Sequence, residues 1–122
     1  MSIYPDPEMV IQQRLEAYNR RDIDVLIALY AEDAEMFEHP GKLVARGRAA
    51  LRQRFMLRFQ EPNLHATLLH RIVMGNIVID HEKVARTFPE GAGTVELTMI
   101  YEVNGGRISK AWSISGPKTV AP

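Results

Sequence analysis

Apolar residues recur at spacings of three and four in the first half of the chain and alternate in the second, so helices are expected first and strands after them. Asp6-Pro7-Glu8 is a helix start: a capping carboxylate, a proline at the first helical position and an acid in the first turn. Ile11, Leu15 and Tyr18 follow on one face, with Val10, Arg14 and Ala17 on the neighbouring row. Arg20 and Arg21 suit the negative end of that helix. Asp22 caps a second helix whose buried stripe is Val25, Leu26, Leu29 and Tyr30, and a short strand is expected over Ala34 to Phe37. Gly47 opens a third helix with Leu51, Phe55 and Phe59 four apart, and Glu61-Pro62-Asn63 ends it.

The remainder reads as β-structure. Strands are expected over His65 to Met74, Ile77 to Phe88, Thr94 to Val103 and Arg107 to Ser115. Gly75-Asn76, the loop Pro89 to Gly93 and Asn104-Gly105-Gly106 separate them, and Gly116-Pro117 is expected to end order, leaving a loose tail. Strands of this length twist and curl. The prediction is therefore an α+β fold: a cone-shaped, strongly curved antiparallel sheet whose concave face is covered by three N-terminal helices. It forms one domain over residues 1–122 with an ordered core of about 7–115. Such a cone leaves a concave end where a ligand pocket belongs.

Composition narrows the chemistry mainly by exclusion. The chain has no cysteine, which removes thiol catalysis, thiolate metal sites and disulfides. Fifteen basic and fifteen acidic residues cancel, which gives no reason to expect nucleic acid or an anionic membrane as a partner. The N-terminal residues lack the pattern of a signal peptide and no apolar run approaches a membrane span, so a cytoplasmic location is expected. No phosphate-cradling glycine loop is present, so no organic cofactor is implied. His65 and His70 are five apart and match no metal-ligand pattern; they read as surface histidines, and no metal is expected. The arginines of the third helix, spread without exposed aromatics between them, read as a solvated face.

The run Asn19-Arg-Arg-Asp-Ile-Asp24, the Leu-Tyr-Ala-Glu-Asp-Ala segment ending at Ala34, Pro40-Gly41, the Gly47-Arg-Ala-Ala-Leu-Arg helix start and the Asn104-Gly-Gly turn resemble the nuclear transport factor 2-like superfamily. The resemblance is to its SnoaL-like and ketosteroid isomerase-like branch and covers Pro7 to Ser115. It implies a cystatin-like cone, homodimers paired through the sheet and a pocket for a small molecule. In the ketosteroid isomerases the general base is an aspartate before a proline-containing turn. That position falls on Glu38 without gaps, and on His39 when the prolines are superimposed. The family's oxyanion tyrosine falls on Arg14 and its protonated aspartate on Met99, so authentic steroid isomerase activity is not expected. Tyr18, one turn beyond Arg14, is the candidate replacement donor.

Candidate catalytic residues are thus Glu38, His39 and His81. Glu38 is either a base at the mouth of the cone or a solvated loop carboxylate, and His39 either moves protons or simply occupies the turn. His81 depends on strand register. If Thr87 pairs with Val95, His81 faces inward opposite Tyr101; if Phe88 pairs with Val95, Asp80, Glu82 and Arg86 face inward instead. Candidate substrate-binding residues are Arg14, Tyr18, Tyr30, Phe55, Phe59, Met99, Tyr101 and Trp112, the last of which either fills the core or anchors an interface through the outer sheet face. The expected function is binding of a small, largely apolar molecule, with proton transfer of isomerase, cyclase, dehydratase or hydrolase type. The alternative is a non-catalytic ligand-binding or interaction domain.

Overall fold

Arg21 shows how the helical half is tied together. In the computed structural model, which describes residues 3–120, Arg21 adopts the left-handed conformation (φ 57°) just past α1 (Pro7–Arg20). Its backbone N–H closes the helix on the Tyr18 carbonyl at 3.0 Å. Its side chain reaches the carbonyls of Phe59 (3.1 Å) and Glu61 (2.7 Å), at the end of α3 (Arg48–Arg58). One residue thus satisfies backbone groups at two helix ends and fixes α1 against α3. Between them lies α2 (Ile23–Ala28), capped by the Asp22 carboxylate, which accepts from the Val25 N–H at 3.2 Å. The buried residues of α2 are Leu26 and Ile27; Val25, expected in the buried stripe, faces solvent because the helix ends after six residues and turns the other row inward.

Six strands form one sheet: β1 (Tyr30–Glu38), β2 (Lys42–Arg46), β3 (His65–Met74), β4 (Ile77–Phe88), β5 (Gly91–Asn104) and β6 (Arg107–Val120), in the spatial order β2-β1-β6-β5-β4-β3. All neighbours run antiparallel except β1 and β6, which are parallel, so the curved sheet is mixed. The short strand expected at Ala34 begins four residues earlier, and β2 was not anticipated. β2 is a five-residue edge strand in which only Ala45 is buried, and its three apolar residues, Leu43 to Ala45, make too short a run to announce it. The expected loose tail is also corrected: β6 continues through Pro117 to Val120. Pro117 is accommodated beside a register shift between Val95 and Leu97, and Lys118 pairs with Glu90 at 2.7 Å.

Helices cover one face of this sheet, and the core of Ile11, Leu26, Tyr30, Leu51, Val78, Tyr101 and Ile108 fills the space between. The β4–β5 pairing follows neither expected register, but its parity is that of the Phe88–Val95 alternative. Val84 lies opposite Val95 and Thr87 opposite Ala92, because the turn is only Pro89-Glu90 and β5 starts at Gly91. A side chain at Gly93 would run into the Thr119 backbone of β6, so only glycine lets these strands approach there. The resulting parity places Asp80, Glu82, Val84 and Arg86 on the helix-covered face and His81 on the other.

Candidate active site

Alternation along each strand decides which side chains meet inside. β1 turns Met36 and Glu38 inward and Phe37 outward; β6 turns Ser113 and Ser115 inward and Trp112 outward, where its ring stacks on Phe37 at 5.6 Å. Val95, Leu97 and Met99 follow on β5, with Val84 and Arg86 on β4. Arg14 and Tyr18 of α1 and Arg54, Phe55 and Arg58 of α3 complete a cavity of about 220 Å³.

The floor is a buried polar cluster in an aromatic cage. Arg14 is only 5% exposed. Its Nε donates to the Tyr30 hydroxyl at 3.1 Å, and its guanidinium lies 5.0 Å from the Tyr18 ring centre, 5.2 Å from Tyr101 and 5.8 Å from Phe55. Burial works against its charge, but Tyr101, Tyr30 and Glu82 hold its pKa well above the ordinary arginine value. Behind the lining, Glu82 is buried, and burial raises its carboxyl pKa; Arg14 partly offsets this and Asp80 adds to it. One Glu82 carboxyl oxygen and the Tyr101 hydroxyl have no hydrogen-bond partner among the described residues. Asp80 is neutralised instead by Arg71, whose Nε and Nη2 donate to it at 2.6 and 2.9 Å; a bulge between Leu68 and His70 brings Arg71 opposite it.

The mouth is organised around Glu61. Arg86 donates to both its oxygens (3.1 and 2.8 Å), the Thr87 N–H adds a bond at 2.9 Å, and Arg58 approaches to 3.4 Å. Burial alone would raise the Glu61 pKa, but these donors hold it below the ordinary glutamate value. Arg58 is shifted down by burial and by the neighbouring Arg86.

Of the sequence candidates, Glu38, Arg14, Tyr18, Phe55 and Met99 line this cavity, with Glu38 exposed at its mouth. His39 lies in the β1–β2 turn, exposed, its N–H donating to the Ser113 carbonyl at 2.8 Å, outside the lining. His81 is on the far face of the sheet, with Nε2 2.7 Å from a Glu96 oxygen, because the tight β4–β5 turn sets the opposite parity. Tyr30 and Tyr101 form the support beneath the floor, and Phe59 packs edge-on against Tyr18 at 5.7 Å; none of the three lines the space. Trp112 is on the outer face and is not a pocket residue. What the sequence reading missed is the arginine set. Arg54 and Arg58, four apart on α3 and assigned to a solvated face, flank Phe55 into the cavity. The i, i+4 spacing was the available signal, but β4 parity was needed to bring Arg86 to them.

The SnoaL-like domain matches residues 11–111. The chain belongs to the SnoaL-like family. Within the nuclear transport factor 2-like superfamily its fold is shared with an uncharacterised cystatin-fold protein of Novosphingobium aromaticivorans (TM-score 0.81, 21% identity, covering 90% of this chain and 98% of that one). It is shared too with a putative ketosteroid isomerase of Kribbella flavida (0.76, 17%, 95% and 82%) and an LEH-like epoxide hydrolase of M. tuberculosis (0.78, 14%, 90% and 78%). At these identities the likeness establishes the fold of this SnoaL-like chain. No curated protein matches it. Among the described residues, no helix is long and apolar enough to cross a membrane.

Proposed function

We propose that this SnoaL-like protein binds a small, largely apolar molecule in the cone and moves a proton on it without a cofactor. The observation that carries the reading is that a carboxylate, Glu38, and a buried cation, Arg14, line one cavity together with an apolar wall of Met36, Val84, Val95, Leu97 and Met99. Glu38 takes a proton from carbon next to a carbonyl. Arg14 then stabilises the oxyanion that develops, standing where the ketosteroid isomerases have their oxyanion tyrosine. A fixed cation in a water-poor floor suits that task, because charge forming there is poorly screened. Tyr18 is the second donor facing the same space. A cavity of about 220 Å³ is smaller than the ~300–1,000 Å³ of drug-sized pockets, so the substrate is compact.

The test is solvent deuterium exchange. Small cyclic ketones and lactones in D₂O are followed by NMR for incorporation next to the carbonyl, with wild type and Glu38→Gln. Wild type should accelerate exchange, and Glu38→Gln should lower the rate by about 10²–10⁴-fold. Equal rates for the two would remove Glu38 as the base. The exposure of Glu38 favours a second reading, ligand binding without chemistry. Saturable binding with no exchange on any substrate would establish that instead.

The same fold supports a homodimer through the outer sheet face, where Phe37 stacks on Trp112 outside the helix-covered core. Sedimentation of wild type should give twice the mass of one chain, and Trp112→Lys should give a monomer.

A further inference from the structure

The chain as a whole has no net charge, yet four of its arginines and only one of its carboxylates line the cavity. Arg14 is committed to the floor, where Tyr30 and three aromatic rings surround it. The other three cluster toward the mouth and are unevenly matched. Arg86 has its fork filled by Glu61, and Arg58 touches the same carboxylate only through a longer contact of 3.4 Å. Arg54 has no ion-pair partner among the described residues. Among the described residues, Glu61 is thus the one carboxylate in ion-pair contact with any of these three guanidiniums. Burial and the neighbouring Arg86 both lower the Arg58 pKa, as happens when a cation is crowded without enough counter-charge.

We infer that the ligand of this cavity is a monocarboxylate: an apolar body against Val84, Val95, Leu97 and Met99, with its carboxylate on Arg54 and Arg58 beside Arg86. The inference rests on the cavity being the ligand site, as proposed above, and adds the class of molecule it selects. The planar guanidinium fork matches a carboxylate by two parallel hydrogen bonds. A single negative charge fits better than a phosphate dianion, because Glu61 already neutralises Arg86 and part of Arg58. Such an anion also anchors the substrate at a distance from the reacting carbon, leaving Glu38 and Arg14 for the proton.

The probes are 3-phenylpropanoate, its neutral amide 3-phenylpropanamide and inorganic phosphate. Each is titrated by NMR with the Met99 methyl and the Arg58 and Arg86 Nε–H signals as readouts. The acid should bind at least about tenfold tighter than the amide. It should move all three signals, whereas the amide moves Met99 alone. Arg58→Gln and, independently, the exposed Arg54→Gln should each erode that preference severalfold, while His81→Ala on the outer face of the sheet leaves it in place. Acid and amide binding equally, both shifting Met99, would overturn the carboxylate assignment while leaving the cavity reading intact. Phosphate binding as tightly as the acid would overturn it too, since the apolar body would then contribute nothing. If none of the three shifts Met99, the cavity is not the ligand site and both readings fall.

Discussion

The floor and the mouth of the cone each hold a glutamate near arginines, and the two glutamates are pushed in opposite directions. Glu82, at the floor, has its pKa raised by burial; Glu61, at the mouth, has its pKa lowered by Arg86, the Thr87 N–H and Arg58 despite burial. The difference lies in depth of burial and in hydrogen bonds. Glu61 receives two from Arg86 and one from a backbone N–H, whereas one Glu82 oxygen has no partner among the described residues and Arg14 acts on it only through its field. A neighbouring cation stabilises a carboxylate fully only when the geometry also replaces the water it lost. The Glu61–Arg86 pair therefore behaves as a closed structural clamp, and Glu82 as a carboxyl group buried at a cost.

The largest effect expected is at the floor. Arg14→Ala removes the cation packed among three rings and the donor to Tyr30, and should cost about 3 kcal/mol in urea denaturation, as for other large-to-small changes in a packed interior. Retained stability would mean the cluster contributes little to the core, contrary to its burial.

Breaking the clamp comes next. Glu61→Gln leaves the Arg58 and Arg86 charges without their shared partner and should cost about 1–2 kcal/mol at neutral pH. The sign follows from its lowered pKa. Its contribution is present above the ordinary glutamate value of ~4.3 and is lost as pH falls through the folded value, so wild type and variant should converge in acid.

Glu82→Gln should do the reverse. With a raised pKa, the contribution of Glu82 is fully present below ~4.3 and is lost as pH rises through the folded value. The variant should therefore be flatter in pH and differ from wild type by less than about 1 kcal/mol at pH 7. Parallel stability profiles for Glu61→Gln and Glu82→Gln would erase the distinction between floor and mouth.

The smallest effect belongs to neither region. His81→Ala breaks only the half-exposed contact with Glu96 on the outer face, and should change stability by less than about 0.5 kcal/mol and leave ligand binding untouched.

Much of this fold was legible in the residues themselves. Asp6-Pro7, Asp22 and the four-residue spacing of Leu51, Phe55 and Phe59 are local signals, and three helices form there, although the Asp6 side chain makes no capping bond and α2 ends at Ala28, leaving Tyr30 to β1. The alternation on β5 and the Asn104-Gly-Gly turn are local in the same sense. The proline-glycine turn after Glu38 also read correctly as the end of a strand, which put a carboxylate at the rim of the cavity. What stayed hidden depends on partners distant in sequence. β2 shows itself only by pairing with β1, and β6 passes Gly116-Pro117 because β5 is there to bond. Which face of β4 looks inward turns on a two-residue turn at Pro89-Glu90. A shift of one residue would have exchanged His81 for Glu82, and with it the chemistry of the floor. The sequence by itself thus determined the three helices, five of the six strands and a carboxylate at the cone's mouth, because propensity, capping and periodicity act over a few residues. Tertiary structure alone decided that Arg14 and the Arg54–Arg58–Arg86 group share one space with Glu82 buried behind it, because side-chain convergence depends on strand register and helix docking, which are set by the packing of the whole core.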